Sequence, residues 1–413
     1  MNLREDANII IDYALKQVLP DEAVKRALEN KKFKDGKLHL VAIGKAAYQM
    51  AKTAKEVLKD KVSDGIVITK YDHVLDKIDG LDCYEAGHPV LDENSLKATD
   101  KAIELVSNLN ENDTVIFLVS GGGSALFERP LVSLEQLQDL NIQLLACGAD
   151  ITEINCLRKR LSAVKGGKFA QLCEPAKVYT IVLSDILGDP LDMIASGPTY
   201  PDASTCQDAL DIIEKYKLQV SYDMLELLKV ETPKVLNNIE TVITGSVKDF
   251  AYAAKSKCED LGYEVIYLSD QVDGHARDLG YFLGSIAKTH KDSNKSLAYI
   301  AGGETIVRLT GTGKGGRNQE IALAGAEKIA GLDNVALFSV SSDGTDGPTD
   351  ATGGYVDGSS KEQLAKKGIQ IHNVLEENDS YHALDAIGSL VKTGPTGTNV
   401  NDISVVLIKA KDV

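Results

Sequence analysis

The sequence predicts an α/β protein of two domains, the first built on a mostly parallel sheet. Short apolar runs alternate with helical patterns. The glycine-rich polar stretches begin where those runs end. Buried parallel strands read as continuous apolar runs, and α/β sheets bind ligands beyond the carboxyl ends of their strands. A chain of 413 residues suits two or three domains.

The runs "LHLVAI" (38–43), "DGIVITK" (64–70), "DTVIFLVS" (113–120) and "KVYTIVLS" (177–184) read as strands. Helical patterns lie between them, at 46–58, 93–108 and 133–147. The stretch 217–238 reads as helix plus connection, so a boundary falls near 235, dividing the chain into 1–235 and 236–413. Alternation restarts with "ETVITG" (240–245), "YEVIYLSD" (263–270), "SLAYIAGGE" (296–304), "TIVRLTG" (305–311), "NVALFSVSSDG" (334–344) and "DISVVLIK" (402–409).

Hydrophobic residues make up 43% of the chain and aromatics only 5%, with no tryptophan, which predicts a mostly aliphatic core. The net charge of −16 argues against nucleic acid or an anionic membrane as partner. A small anionic substrate remains open, because a few local cations suffice for one. Six cysteines without a C-x-x-C predict reduced thiols in a cytosol. The first residues resemble no signal peptide, and no apolar run approaches the ~20 residues of a membrane span.

Several stretches carry chemistry. "GTGKGGRNQE" (311–320) contains G-x-G-x-x-G. It reads as a flexible turn, a dinucleotide turn or a phosphate-gripping loop. The dinucleotide reading fits poorly: Arg308 interrupts the preceding run, and the next acidic candidate, Asp343, lies 27 residues beyond Gly316. Glycine amides with Lys314 and Arg317 suit phosphate. "VSGGGSALF" (119–127) points several amides at one place, with Ser124 as a possible cap. "IGKAA" (43–47) puts Lys45 at a strand end. "LSDILGDPLDMIASGPTYPD" (183–202) carries Asp185, Asp189, Asp192 and Asp202. "SSDGTDGPTDATGG" (341–354) carries Asp343, Asp346 and Asp350. Such carboxylates suit Mg²⁺ or proton abstraction, or merely Asx turns. "GGE" (302–304) sets Glu304 after a strand, and "TGPTGTNVND" (393–402) is rich in hydroxyls and amides. No Walker A sequence occurs. His88 reads as structural.

Together, "GHPVLDENS", "SGGGSAL", "LSAVKGGKFA", "SDILGDPLDMIASGPTYPD", "AGGETIVRLTGTGKGGRNQE", "SSDGTDGPTDATGG" and "TGPTGTNVND" resemble the glycerate 2-kinase family with a MOFRL-type C-terminal domain. The resemblance runs from about Val41 to Asp402. It implies a Rossmann-like N-terminal domain, a smaller C-terminal α/β domain and an active site in the interdomain cleft. It implies ATP and Mg²⁺ as cofactors, D-glycerate as substrate, 2-phosphoglycerate as product, and a cytoplasmic place in carbohydrate metabolism such as the Entner–Doudoroff pathway. A homodimer stays open. The alternatives are an NAD(P)-dependent hydroxypyruvate reductase, a label also used for such proteins, and a non-catalytic sensor of small anions built on the same cleft.

Carried onto matching positions, the resemblance marks Lys45, Arg317, Asp189 and Asp343 as catalytic. Substrate or ATP contacts are expected from Ser120, Gly121, Gly122, Gly123, Ser124, Gly302, Gly303, Gly313, Lys314, Gly315, Gly316, Asn318 and Gln319. Metal ligands are expected among Asp189, Glu304 and Asp346. Lys168-Phe169-Ala170, where many relatives have Arg-Leu-Ala, reads as a neutral change.

Overall fold

The computed structural model describes residues 2–411. The chain forms two compact units: one comprises 24–183 and 189–244, the other residues up to 23, 184–188 and those from 245 onward.

The first unit holds a six-stranded sheet of β1 (Leu38–Ile43), β2 (Val62–Lys70), β3 (Asp82–Ala86), β4 (Thr114–Val119), β5 (Lys177–Leu183) and β6 (Ile239–Gly245). Their order is β3-β2-β1-β4-β5-β6, and the pairs from β3 across to β5 are parallel. This is the order of the doubly wound nucleotide-binding fold, whose strand order reverses between the first and fourth strands. β1 and β4 are buried along their whole length, as a sheet covered on both faces requires. The core is largely aliphatic, but Phe117, Phe127 and Phe169 meet at its centre with ring centroids 5.0–5.8 Å apart.

The second unit contains β7 (Glu264–Val272), β8 (Leu297–Gly303), β9 (Val335–Ser341), β10 (Gly353–Asp357), β11 (Leu390–Val391) and β12 (Asp402–Ile408), in the order β11-β10-β9-β12-β8-β7. Only β7 and β8 pair in parallel; β12 runs antiparallel to both its neighbours. Its run is buried on both faces, so its apolar pattern carries no sign of direction. The helix Leu3–Gln17 packs here, with Ile10, Ile11 and Ala14 against Phe250 and Ala254.

Three expectations need correction. The units do not divide at 235: the first helix packs on the second unit, and "ETVITG" is the edge strand of the first sheet. "TIVRLTG" is not a strand; apart from a single bridge from Ile306 to His275 it is irregular, with Leu309 81% exposed. β3, β10 and β11 were not expected at all.

Candidate active site

In the first unit, β1 and β4 end side by side at the point where the strand order reverses. Gly44 has φ +111°, and a side chain there would collide with Ser120. That close approach locks Lys45. Its N–H donates to the Gly121 carbonyl at 2.9 Å. Its own carbonyl accepts from Thr69 Oγ1 at 3.4 Å and lies 3.1 Å from His73 Nδ1. The next amide, of Ala46, donates to Ser120 Oγ at 3.0 Å.

The turn after β4 presents Gly121, Gly122, Gly123 and Ser124. Among the described residues, none of these four N–H groups donates to a protein atom. Buried or half-buried amides without an acceptor are costly, and four in succession beside a lysine form an anion cradle. Gly122 has φ +85°, and a Cβ on it would lie 2.8 Å from His88 Nε2. The His88 ring therefore rests against the turn. Burial, then Lys45 and Lys70, hold its pKa below the ordinary imidazole value. The Ser124 carbonyl accepts from Lys165 at 2.9 Å and Arg158 at 3.2 Å, and its hydroxyl meets Ser196 at 3.1 Å. Lys165 is wholly buried, and burial lowers it to about 8.

Of the carboxylates on the loop after β5, two belong to an ion network. Lys159 binds Asp192 at 3.2 Å and Asp202 at 3.1 Å, and Asp202 also accepts from Thr232 and Ser204. Asp189 sits at φ +52°, in the left-handed region. Lys168 donates to the carbonyls of Lys159, Arg160 and Ser162 at 2.6–3.1 Å, so it ties down the end of the helix Ile151–Arg160. Its ammonium has a specific task here.

In the second unit, Arg317 opens the helix Arg317–Ile329, which is buried on nearly every side. Its guanidinium grips Asp402 through Nε (2.5 Å) and Nη2 (3.1 Å), and Glu304 through Nη1 (2.9 Å). Burial disfavours the cation, but these carboxylates outweigh it and raise the Arg317 pKa. Asp346 caps the same helix: its oxygens accept from the amides of Asn318 (3.1 Å) and Gln319 (2.8 Å). Burial lifts Asp346 to about 7. Asp343 Oδ1 accepts from Ser341 Oγ (2.9 Å) and from the amide (2.9 Å) and hydroxyl (3.1 Å) of Thr345. Arg317, Asp343, Asp346 and Gly313 line a cavity of about 670 Å³.

The loop 311–316 divides in two. The amides of Thr310 and Gly311 donate to Asn378, that of Gly313 to Glu377 and that of Lys314 to Asp379. A Cβ on Gly313 would lie 2.5 Å from both the Glu377 carbonyl oxygen and Asp379 Cβ. The N–H groups of Gly315, Gly316 and Arg317 donate to no protein atom among the described residues, and all three residues line the cavity.

The expected contacts thus separate. Lys45, Ser120 and the turn 121–124 come together in the first unit, as do Arg317, Gly315, Gly316 and Asp343 in the second. Lys314 stands apart, its ammonium 4.3 Å from the centre of the Tyr381 ring. Gly302 and Gly303 lie inside β8, packed on Val247 and Val272. Asn318 and Gln319 are fully buried and bind Ser339, Asp346 and Thr349. Of the expected metal ligands, Asp346 is a helix cap and Glu304 is paired with Arg317. Sequence reasoning missed Asp402 and Arg158 and undervalued His88. The only signal for Asp402 was an acid placed directly before a buried apolar run.

No dinucleotide turn is present at 311–316, because no strand leads into it: β8 ends at Gly303. Residues 6–229 match a family described as a domain of unknown function, DUF4147, and residues 297–402 match the MOFRL family. A D-glycerate 2-kinase of Thermotoga maritima is 49% identical over 413 residues, covering 98% of this chain and 99% of that one. This chain belongs to the MOFRL-type glycerate 2-kinase family. Another member, a glycerate 2-kinase of Pyrococcus horikoshii, is 38% identical over 442 residues, covering 100% of this chain and 98% of that one. Among solved structures, the crystal structure of the T. maritima glycerate kinase matches with a TM-score of 0.95 at 49% identity, covering 98% and 99% of the two chains. In this member of the glycerate 2-kinase family, a lysine lies beside four open amides in the first unit and an arginine beside three in the second.

Proposed function

We propose that this chain transfers the γ-phosphoryl group of ATP to the 2-hydroxyl of D-glycerate, giving 2-phosphoglycerate and ADP. The observation that carries the reading is 49% identity, along nearly its full length, to an enzyme named D-glycerate 2-kinase. The geometry agrees with it. Both substrates are anions, and the chain has two sets of open amides, 121–124 with Lys45 and 315–317 with Arg317.

In the reaction the 2-hydroxyl oxygen forms a bond to the γ-phosphorus. The bond from that phosphorus to the oxygen bridging to the β-phosphate breaks, and the hydroxyl proton passes to a base. Lys45 offsets the charge that spreads over the phosphoryl oxygens. Asp402 and Glu304 hold the Arg317 fork in one orientation, so it needs no reordering during transfer. Asp189 takes the role of base and Asp343 that of metal ligand. Among the described residues no group of three or more His, Cys, Asp or Glu could hold a metal. A single carboxylate still fits Mg²⁺, which is commonly held by one or two carboxylates together with substrate phosphates. Asp343, its orientation fixed by three donors, would hold it, and Mg²⁺ would supply neutralisation of phosphate charge. The six free thiols fit a cytoplasmic enzyme.

The test is an assay with ATP and D-glycerate coupled to enolase. 2-Phosphoglycerate feeds enolase directly, whereas 3-phosphoglycerate first needs a mutase. Signal without mutase is expected; signal only with mutase would move the reaction to the 3-hydroxyl. EDTA should abolish activity and Mg²⁺ or Mn²⁺ restore it. Asp343→Asn should raise the metal concentration needed for half activity, whereas Asp189→Asn should lower kcat at an unchanged metal requirement.

A further inference from the structure

One cavity in the first unit is unlike the polar sites described above. Its volume is about 580 Å³, and it opens onto Gly122 and Ser124 of the amide-bearing turn. Its walls are mostly aliphatic: Val90, Ile142, Leu145, Ile151 and Ile154 all line it. Val90, Ile142, Leu145 and Ile151 are 61–73% exposed, four large apolar side chains facing water at one place. Exposed apolar surface gathered at one place marks a binding site, and apolar walls with a few polar groups are the ordinary make-up of a small-molecule pocket. The polar groups here include Gln138 and Asn141, three residues apart on the helix Leu134–Ala146 and therefore neighbours on one face.

D-glycerate has no apolar face and gains nothing from such walls. Of the two substrates, only ATP carries a flat apolar ring. We propose that this cavity holds the adenine ring of ATP, with the aliphatic side chains against the ring faces and the carboxamides of Gln138 and Asn141 serving its polar edge. The adjoining turn 121–124 and Lys45 then receive the phosphates. Continuity decides the occupant: a ligand seated among these side chains and reaching Gly122 must be apolar at one end and anionic at the other. The assignment rests on the kinase reading and adds to it which set of amides takes the nucleotide.

The experiment is calorimetric titration of ADP, and separately of inorganic tripolyphosphate, into the wild type and into Ile142→Ser/Leu145→Ser. Both positions are exposed, so the variant should fold, which circular dichroism checks. The expected result is ADP binding weakened at least ~10-fold, or about 1.4 kcal/mol, with tripolyphosphate binding unchanged. KM for ATP should rise to match, and KM for D-glycerate should stay within about twofold. Photolabelling of the wild type with 8-azido-ADP should mark peptides within 88–91 or 138–154. Unchanged ADP affinity in the folded variant overturns the assignment, as does a label confined to other peptides. A changed sedimentation coefficient with ADP affinity intact would make the patch a subunit contact and overturn it too. Failure of the kinase reading shows separately, as no product from ATP and D-glycerate with the wild type.

Discussion

In the turn 121–124, four consecutive amides have no protein acceptor among the described residues, and Gly122 leaves room for the His88 ring. In the loop 311–317, the amides of 311, 313 and 314 are spent on the segment 377–379, and those of 315–317, which line the cavity, stay open among the described residues. Both stretches look alike as strings of glycine. The difference teaches that glycine marks a close approach, and the surroundings decide what approaches. At Gly311 and Gly313 it is the chain itself. At Gly122 it is the His88 ring, yet there the turn's own amides stay open among the described residues.

The contrast can be broken most directly at Lys45. Lys45→Ala should lower kcat about 100-fold, or ~3 kcal/mol, with far-UV circular dichroism unchanged; near-wild-type kcat would reduce the turn to a structural feature. Next comes the pair that serves the second set of amides. Asp402→Ala leaves a mostly buried guanidinium without its main partner and should cost about 3 kcal/mol in urea unfolding. Arg317→Lys keeps the charge but cannot grip two oxygens of Asp402 as a planar fork does, and should lose at least ~10-fold in kcat/KM.

A smaller effect concerns Asp346. Burial raises it from 3.8 to about 7, so the folded chain holds that proton more tightly than the unfolded chain does. Its contribution to stability is therefore full below about pH 4 and is lost as pH rises through 7. Between pH 5 and 7.5 the wild type should lose about 2–3 kcal/mol relative to Asp346→Asn, each pH unit being worth at most about 1.4 kcal/mol; parallel urea curves at the two pH values would show that Asp346 is already ionised. The smallest effect is expected at Lys314. Its ammonium lies over Tyr381, so Lys314→Ala should cost ~0.5–1 kcal/mol of stability and change kcat/KM by less than about twofold. A tenfold loss would return Lys314 to the ligand.

The first sheet was legible because β1, β4 and β5 are long apolar runs ending at chemistry-bearing residues. β3 was not, since an edge strand reading "DCYEA" is half polar, and β10 was hidden by its opening glycines. Strand direction in the second sheet left no trace in a pattern of buried residues. Lys45 and Arg317 were legible as cations beside glycine. Lys314 looked the same, because Tyr381 lies 67 positions away and its ring gives no local sign. Asp402 was invisible for a similar reason: its partner is 85 residues upstream.

β12 sits between β8 and β9 in the second sheet, yet it is the latest strand in the sequence. During synthesis, the strands on either side of it leave the ribosome with a gap between them. The first unit, complete by residue 244, can close while that gap persists. Asp402 is the first residue of β12, so the strand that fills the gap also delivers the carboxylate that clamps Arg317. A nascent chain halted before 402 would carry a finished first sheet and an Arg317 with Glu304 but without Asp402. The two-oxygen grip of Asp402 on Arg317 is therefore completed in one late step, when β12 docks.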